Sequence, residues 1–285
     1  MVTSNGTAPQ TVQSTLGPAA LWGFAAHTAG NLWRFVLTLA RPPRVRIAPW
    51  GPGAYAAMAA TVAVIVVLMF FVDATVINWA LGLPQWLRDA ADEITNFGLS
   101  GWFLYPLGFI LLVLAALMNL PLPAQAYRLL AALAARAGFL FVAIGLPGLF
   151  VTTVKRMIGR ARPYVGGHDD PFAYAPFIWR PEYASMPSGH ATTATAAAIA
   201  IGALWPRLRG VMWIYALVIM ATRVIIGVHH PSDVIAGALV GIVGALMVRR
   251  WFAARRLVFG ADLQPLARPS RRRMTALARR ILDGR

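Results

Sequence analysis

The sequence has no cysteine and few charged residues. The absence of cysteine from all 285 residues excludes disulfides, thiolate metal sites and cysteine nucleophiles. Only 13% of the residues are charged, whereas 58% are hydrophobic. A soluble domain of this length needs far more polar surface than that composition supplies. We therefore expect an integral membrane protein whose chain crosses the bilayer several times.

Long apolar runs account for this composition. Six runs are each close to the roughly 20 residues that cross a bilayer as a helix, and they cover residues 54–72, 101–119, 137–154, 188–205, 211–227 and 233–250. The fourth run has weak hydropathy, and its small residues suit a helix buried among other helices. No run alternates like a barrel strand, and in lipid the backbone must be hydrogen-bonded within the protein. We predict an all-α, polytopic bundle of six transmembrane helices.

Basic residues are distributed unequally about these runs. Lys155 is the single lysine among 26 basic residues, and the net charge is +16. Six crossings put both termini on one side, and 19 of the basic residues lie on that side. By the positive-inside rule that side is cytoplasmic, so the loop 155–187 and the turn 228–232 share the outward face. Topology thus explains the charge, and we expect no nucleic-acid partner.

Composition divides the chain into four parts. They are a disordered N-terminal tail at 1–18, a cytoplasmic juxtamembrane segment at 19–50, the six-helix membrane domain at 51–252 and a basic cytoplasmic tail at 253–285. The first part has no charged side chain and lacks the features of a cleavable signal peptide. Residues 19–40 form either an interfacial helix or a helix docked on the bundle. In the basic tail, Met274, Leu277 and Ile281 have the spacing of an amphipathic helix lying on anionic lipid, with a solvated tail as the alternative.

Three polar clusters stand at the ends of runs on the outward face. In the first, KRMIGRARP, Lys155 and Arg162 are seven residues apart and would share one side of a helix before Pro163 ends it. Alone, this cluster is typical of a basic stretch that anchors the third run at headgroup level.

The second cluster is PSGH. Ser188 is a good N-cap for the fourth run, and Gly189 lets a ligand approach the backbone. Free N–H groups and the helix dipole make this N-terminus an anion site, with His190 in the first turn. An ordinary capped helix with an interfacial histidine is the alternative.

The third cluster is TRVIIGVHHPSD. Arg223 lies six residues before His229, and Asp233 lies four residues after it. Because Pro231 is tolerated in a first helical turn, the Asp233 carboxylate comes close enough to bond one ring nitrogen of His229. That bond would fix the tautomer and leave the other nitrogen as a nucleophile, unless His229 is a structural histidine. We expect the His230 side chain to point elsewhere and assign it no chemistry.

Metal and anion sites are both conceivable from these residue types. Two histidines and an aspartate could form part of a zinc site. Lys155, Arg162 and Arg223, however, would repel a divalent metal and attract a phosphate. Since each cluster also offers an anion-binding part on the same face, we expect a phosphate site with no metal and no other cofactor.

Together the three stretches resemble the signature of the type 2 phosphatidic acid phosphatase superfamily. That pattern is Lys, six residues, Arg-Pro; then Pro-Ser-Gly-His; then Ser-Arg, five residues, His, three residues, Asp. This sequence departs from it at Thr222, which replaces the serine and retains the hydroxyl. The motifs span 155–233, and the six-helix layout extends the resemblance to about 54–250.

The resemblance implies a role for each matching residue. His229 attacks phosphorus and forms a phosphohistidine, while Asp233 orients the imidazole and balances its charge. His190 donates a proton to the leaving oxygen and later activates water. The phosphoryl oxygens are held by Lys155, Arg162, Arg223, the Ser188 hydroxyl and the Gly189 N–H.

The implied function is a membrane lipid phosphatase that hydrolyses a phosphomonoester or diphosphate. Candidate substrates are undecaprenyl diphosphate, phosphatidic acid, phosphatidylglycerol phosphate and lipid A phosphates, and a lipid-to-lipid phosphotransferase is the alternative. A vanadium haloperoxidase shares the signature but is soluble, and a transporter would place ionisable groups in the middle of its spans. The arginine bias and short loops favour a bacterial inner (plasma) membrane, with the site facing the periplasm and anionic lipids contacting the cytoplasmic face. The oligomeric state is open.

Overall fold

The computed structural model describes residues 17–166 and 170–266. Within them, nine α-helices follow one another: α1 (Pro18–Ala40), α2 (Pro52–Phe71), α3 (Asp73–Leu81), α4 (Gln85–Thr95), α5 (Gly101–Leu117), α6 (Ala124–Ile158), α7 (Gly189–Leu204), α8 (Arg209–Ile225) and α9 (Pro231–Ala254). The described residues form no β-strand and only two isolated bridges. The all-α prediction is confirmed for this part of the chain. Residues 1–16 of the predicted tail, and the amphipathic pattern at Met274, Leu277 and Ile281, lie outside it.

Five helical stretches are long and apolar enough to cross a membrane: Pro52–Phe71, Gln85–Leu117, Ala124–Ile158, Pro206–Ile225 and Pro231–Ala254. The second stretch joins α4 to α5 through a 3-10 turn at Asn96–Gly98. The predicted fourth run forms α7, which is apolar but has only 16 residues. The sixth crossing therefore stays a prediction.

The bundle has two ends, which differ in their polar residues. At one end α2, α6 and α8 finish and α5, α7 and α9 begin, and all three sequence clusters lie there. We call it the motif end. The opposite end carries α1 and the segment that follows α9.

Small residues bring α7 and α9 into close contact. A Cβ on Gly237 would lie 2.3 Å from the Ser188 carbonyl oxygen, and one on Gly241 would lie 2.2 Å from Thr195 Oγ1. The Thr192 hydroxyl lies between the helices, within 2.9 Å of the Ser188 carbonyl oxygen and 3.0 Å of that of Gly237. Glycine therefore allows the two backbones to touch. This contact places the start of α7 beside the start of α9.

Aromatic packing closes the opposite end. Phe139 of α6 makes edge-to-face contacts with Phe252 of α9 and with Phe259, at centroid distances of 5.4 and 4.8 Å. Phe259 is fully buried, although it lies in the part assigned to the basic tail. Residues 255–266 thus belong to the folded bundle.

Helix α1 is docked on the bundle, which is one of the two alternatives for residues 19–40. Asn31 Nδ2 donates to Asn119 Oδ1 (2.8 Å), and Asn119 Nδ2 donates to Thr28 Oγ1 (2.8 Å). A Cβ on Gly138 of α6 would lie 2.2 Å from the Phe35 ring, so glycine allows that ring to pack there. Trp22, among other apolar residues of α1, remains exposed.

Candidate active site

Hydrogen bonds join the three sequence clusters at the motif end. The Ser188 N–H donates to the Asp233 carbonyl oxygen (2.9 Å), which connects the second cluster to the third. The Ser185 N–H donates to the Arg160 carbonyl oxygen (3.1 Å), which connects the loop before α7 to the first cluster. The first and third clusters, whose nearest ends are 59 positions apart in sequence, therefore form one site with the second.

The first cluster is not a continuous helix. Helix α6 ends at Ile158, and Gly159 caps it in the left-handed conformation with φ +65°. A Cβ at this position would lie 2.0 Å from the Ala175 carbonyl oxygen, so only glycine fits. The prediction that Lys155 and Arg162 share one helix face is wrong, because the turn at Gly159 carries Arg162 into the following loop.

Cations surround the first turn of α7. Lys155, Arg162 and Arg223 all lie within electrostatic range of the His190 imidazole. Arg223 is fixed by α4, since it donates to Thr95 Oγ1 at 2.8 Å. Among the described residues, none of these three cations forms an ion pair with a carboxylate, and Asp233, Glu182 and Asp92 act on Arg162 and Arg223 from a longer distance. The three cations therefore create a positive potential that attracts a phosphate.

The start of α7 presents unused hydrogen-bonding groups. Ser188 has the non-helical backbone of an N-cap, but its side chain makes no capping bond. Its buried Oγ has no hydrogen-bond partner within the described residues, and neither has the Nε of Arg162 or of Arg223. A Cβ built on Gly189 meets no atom within 4 Å, so a ligand has room beside this backbone. Such groups are available to an anion.

His190 is held in its position by the turn that precedes α5. A Cβ on Gly98 would lie 3.0 Å from His190 Cδ2 and 2.6 Å from the Ile219 side chain. The missing side chain of Gly98 therefore lets this turn cover the imidazole.

His229 is a buried, neutral imidazole. Its Nδ1 lies 3.4 Å from Ser185 Oγ and 3.6 Å from Asp233 Oδ2, while the Ser185 hydroxyl donates to that same carboxylate oxygen at 2.6 Å. A separation of 3.6 Å is too long for a hydrogen bond. The predicted direct bond to Asp233 is thus replaced by a contact through Ser185. Burial lowers the pKa of His229 to about 4, against the opposing effect of Asp233, so the ring is uncharged at neutral pH.

His230 lies against the same carboxylate. It occupies the N-cap of α9, and its backbone N–H donates to Asp233 Oδ2 at 3.0 Å. Its fully buried Nδ1 is 3.4 Å from that oxygen. The prediction that this side chain points elsewhere is wrong, because Asp233 and His230 cap the helix together.

Arg160 and Asp73 complete the site, and the sequence analysis assigned a role to neither. The fully buried Arg160 guanidinium donates to Asp233 Oδ1 (2.6 Å), Asp73 Oδ2 (2.8 Å) and Ser232 Oγ (2.7 Å). Asp73 also accepts the Ser232 N–H at 3.0 Å. Burial lowers the pKa of Arg160, but Asp233 and Asp73 outweigh that effect and raise the pKa above its ordinary value. Arg160 is therefore a permanent cation between two carboxylates.

A sequence signal for this pair exists. Asp73 is one of ten acidic residues and follows directly after the first apolar run, a position at which an ionisable residue suggests a function. Arg160 stands inside the first cluster. Their partnership joins residues 87 positions apart, and only the fold shows it.

The structure also allows a test of whether side chains that could bind a metal lie together. In the described ranges, no three side chains of the histidine, cysteine, aspartate or glutamate type are placed to hold a metal ion.

Comparison with known proteins places the chain in a family. A family model described as the PAP2 superfamily matches residues 136–257. A lipid A 1-phosphatase of Rhizobium johnstonii is 32% identical over 219 residues, covering 73% of this chain and 85% of that protein. The chain belongs to the PAP2 superfamily. Another PAP2 relative is the decaprenylphosphoryl-5-phosphoribose phosphatase of Mycobacterium tuberculosis, which is 35% identical over 156 residues, 54% of this chain and 77% of that protein. The crystal structure of Aquifex aeolicus LpxE can be aligned with this protein at a TM-score of 0.44 and 21% identity. The alignment covers 63% of this chain and 95% of the LpxE chain.

The PAP2 match contains all three sequence clusters, so the resemblance inferred from them is confirmed. With its long apolar helices, this PAP2 protein is an integral membrane protein. Asp73 and Thr95 lie before the matched range, yet they contact Arg160 and Arg223 within it.

Proposed function

We propose that this PAP2 protein is a lipid phosphatase that hydrolyses a phosphomonoester or diphosphate on a membrane lipid through a phosphohistidine at His229. The observation that carries the proposal is that Arg162 and Arg223 lie within electrostatic range both of the buried His229 imidazole and of His190 in the first turn of α7. Family membership supports the phosphatase activity. The geometry supports the following division of roles.

Substrate binding uses the unsatisfied donors of the site. The phosphoryl oxygens lie among Lys155, Arg162 and Arg223, with the Ser188 hydroxyl and the Gly189 N–H as further donors. Phosphoryl transfer spreads negative charge over these oxygens, so fixed cations and N–H groups stabilise the transition state. No metal is required for this stabilisation.

The first chemical step forms a bond between His229 and phosphorus. Since His229 Nδ1 faces Ser185, the other ring nitrogen attacks, and the bond from phosphorus to the lipid oxygen breaks. His190 gives a proton to that oxygen. A bound phosphate offsets the charge of the three cations, which allows His190 to carry the proton.

The second step regenerates the enzyme. His190, now neutral, accepts a proton from water, and the water oxygen attacks the phosphohistidine. The nitrogen–phosphorus bond breaks, and inorganic phosphate leaves. Asp233 offsets the positive charge that His229 carries in the intermediate.

Arg160, Asp73 and Ser185 are positioning residues in this mechanism. Arg160 and Ser185 fix the two oxygens of Asp233, and Asp73 fixes Arg160 in turn. A catalytic side chain whose neighbours are themselves fixed by hydrogen bonds keeps its geometry more closely.

The leading substrate is a lipid A phosphate, because a lipid A 1-phosphatase aligns with 73% of this chain, whereas the decaprenylphosphoryl-5-phosphoribose phosphatase aligns with 54%. The test is a screen of the purified protein against lipid A, phosphatidic acid, phosphatidylglycerol phosphate and undecaprenyl diphosphate, with released phosphate as the readout. Release from lipid A in preference to the others supports the substrate, and no release from any lipid contradicts the function. A labelled lipid phosphate distinguishes hydrolysis, which yields free phosphate, from transfer, which yields a newly phosphorylated lipid.

We further propose that the motif end faces the periplasm and that the protein lies in a bacterial inner membrane. The excess of arginine at the opposite end supports this orientation.

A further inference from the structure

A cavity lies at the opposite end of the bundle. It has a volume of about 430 Å³ and is lined by residues of α1, α5, α6 and the segments that follow α5 and α9. Its walls are mainly apolar and include Leu32, Phe35, Leu111, Met118 and Leu257. The volume falls within the range of small-ligand sites.

Two exposed arginines also line this cavity. Among the described residues, the guanidinium of Arg34 reaches only Asn31 Oδ1, at 3.5 Å. The guanidinium of Arg256 makes no hydrogen bond or ion pair within residues 17–166 and 170–266, where its backbone N–H alone is bonded. Arg256 also has a left-handed backbone with φ +52°, which a residue other than glycine rarely adopts. Two cations that have no carboxylate partner in the described part of the chain therefore lie at the rim of an apolar cavity.

The neighbouring arginines, in contrast, have partners within the protein. Arg136 and Arg249 donate to backbone carbonyls of the segment after α9, and Arg255 stacks on Trp251 at 3.8 Å. Asp262 is the one carboxylate at this end in the described part of the chain, and it accepts the Gln264 N–H at 3.1 Å. Within residues 17–166 and 170–266, no carboxylate therefore neutralises the two arginines at the cavity, and their charge is available to an anionic ligand.

We propose that this cavity binds an anionic phospholipid of the adjacent leaflet, with an acyl chain between α1 and α6 and the phosphate on Arg34 and Arg256. Guanidinium groups bind phosphate through charge-assisted hydrogen bonds, and an arginine near an anionic leaflet gains affinity from the surface potential. Exposed Trp22 and Trp33 on α1 are typical of a helix at headgroup depth. The bound lipid connects α1 to the segment after α9 and fastens both to the bundle. The proposal does not depend on the catalytic function.

Lipid binding by the full-length protein in detergent tests this proposal. Native mass spectrometry and the thermal unfolding midpoint are measured with phosphatidylglycerol, phosphatidylcholine or glycerophosphoglycerol, which is the phosphodiester headgroup of phosphatidylglycerol without its acyl chains. Phosphatidylglycerol binds and raises the midpoint, and the other two have little effect. In an Arg34→Ala/Arg256→Ala variant, phosphatidylglycerol binds roughly 30-fold more weakly. The control variant Arg207→Ala/Arg209→Ala loses the same charge at the same end but changes no residue that lines the cavity, and it binds as the wild type does.

A second variant tests the acyl chain separately from the charge. Ala132 lines the cavity, so Ala132→Phe fills it while both arginines remain. This variant should also lose phosphatidylglycerol. The proposal would be overturned if the cavity and control variants bound phosphatidylglycerol equally, or if phosphatidylcholine bound as well as phosphatidylglycerol. It would also be overturned if glycerophosphoglycerol alone stabilised the protein, or if Ala132→Phe bound phosphatidylglycerol as the wild type does. None of these measurements uses phosphatase activity.

Discussion

Arg160 and Asp233 form a buried ion pair, with Arg160 Nη1 2.6 Å from Asp233 Oδ1 and both side chains inaccessible to solvent. The same guanidinium bonds Asp73 through its other terminal nitrogen. Burying these charges is costly, and the pairing offsets that cost only while all three groups remain. The network therefore explains how the carboxylate beside His229 is held in one orientation.

Replacing Arg160 should impair turnover more than substrate binding. In Arg160→Lys the charge remains, but one ammonium cannot reproduce the bonds to both Asp233 and Asp73, so Asp233 shifts. We expect kcat to fall roughly 10- to 100-fold, with KM nearly unchanged because the phosphate-binding cations are intact. Steady-state kinetics on a lipid phosphate measure both.

Arg180→Lys is the matched control, since Arg180 is exposed and lies 3.7 Å from Glu182. It should leave kcat unchanged. Arg160→Met removes the charge altogether and should lower the thermal midpoint strongly, because loss of one partner from a buried ion pair costs about 3–5 kcal/mol. A rise in KM with unchanged kcat in Arg160→Lys would show that Arg160 acts on binding instead.

His229→Ala should abolish turnover while the protein remains folded. Without the nucleophile no phosphohistidine forms, and losses of roughly 10⁴- to 10⁶-fold accompany removal of such a residue. Phosphate release and acid-labile phosphorylation of the protein are the two measurements. His27→Ala, an exposed histidine on α1, is the control and should retain both. Substantial turnover by His229→Ala would exclude His229 as the nucleophile.

The apolar runs and the three clusters are predictable from the sequence, because both depend on local composition. The end of α6 at Gly159 is not, since the left-handed turn is required by the Ala175 carbonyl oxygen that approaches it. The role of Asp73 is not predictable either, because its partner Arg160 is 87 positions away in sequence. Contacts of this kind arise from packing between helices and leave no local pattern.

The pKa of His229 makes stability depend on pH. In the unfolded chain a histidine titrates near 6.5, whereas His229 in the native protein has a pKa of about 4. Between these values the unfolded state binds a proton that the native state does not, so stability falls as pH decreases from about 6.5 to 4. His229→Asn removes this contribution. The thermal midpoint of the wild type should fall more steeply than that of the variant over this window, and parallel curves would contradict a neutral, buried His229.

Chelation of divalent metals should leave activity intact. The proposed transition state is stabilised by Lys155, Arg162 and Arg223, whose charges disfavour a metal at the same place. Phosphate release is measured after dialysis against EDTA and again after Mg²⁺ or Zn²⁺ is restored. Activity that is lost with EDTA and recovered with metal would overturn the assignment of these cations.

Single introduced cysteines should determine the orientation, and the lack of native cysteine makes the measurement free of background. Arg180→Cys lies in the exposed loop at the motif end, whereas Arg207→Cys lies in the exposed turn between α7 and α8 at the opposite end. If the motif end faces the periplasm, a membrane-impermeant maleimide labels Arg180→Cys in cells with a permeabilised outer membrane. It labels Arg207→Cys only after the inner membrane is opened. The reverse pattern would place the phosphate site in the cytoplasm, and labelling of both positions from outside would contradict the bundle's two-ended arrangement across the membrane.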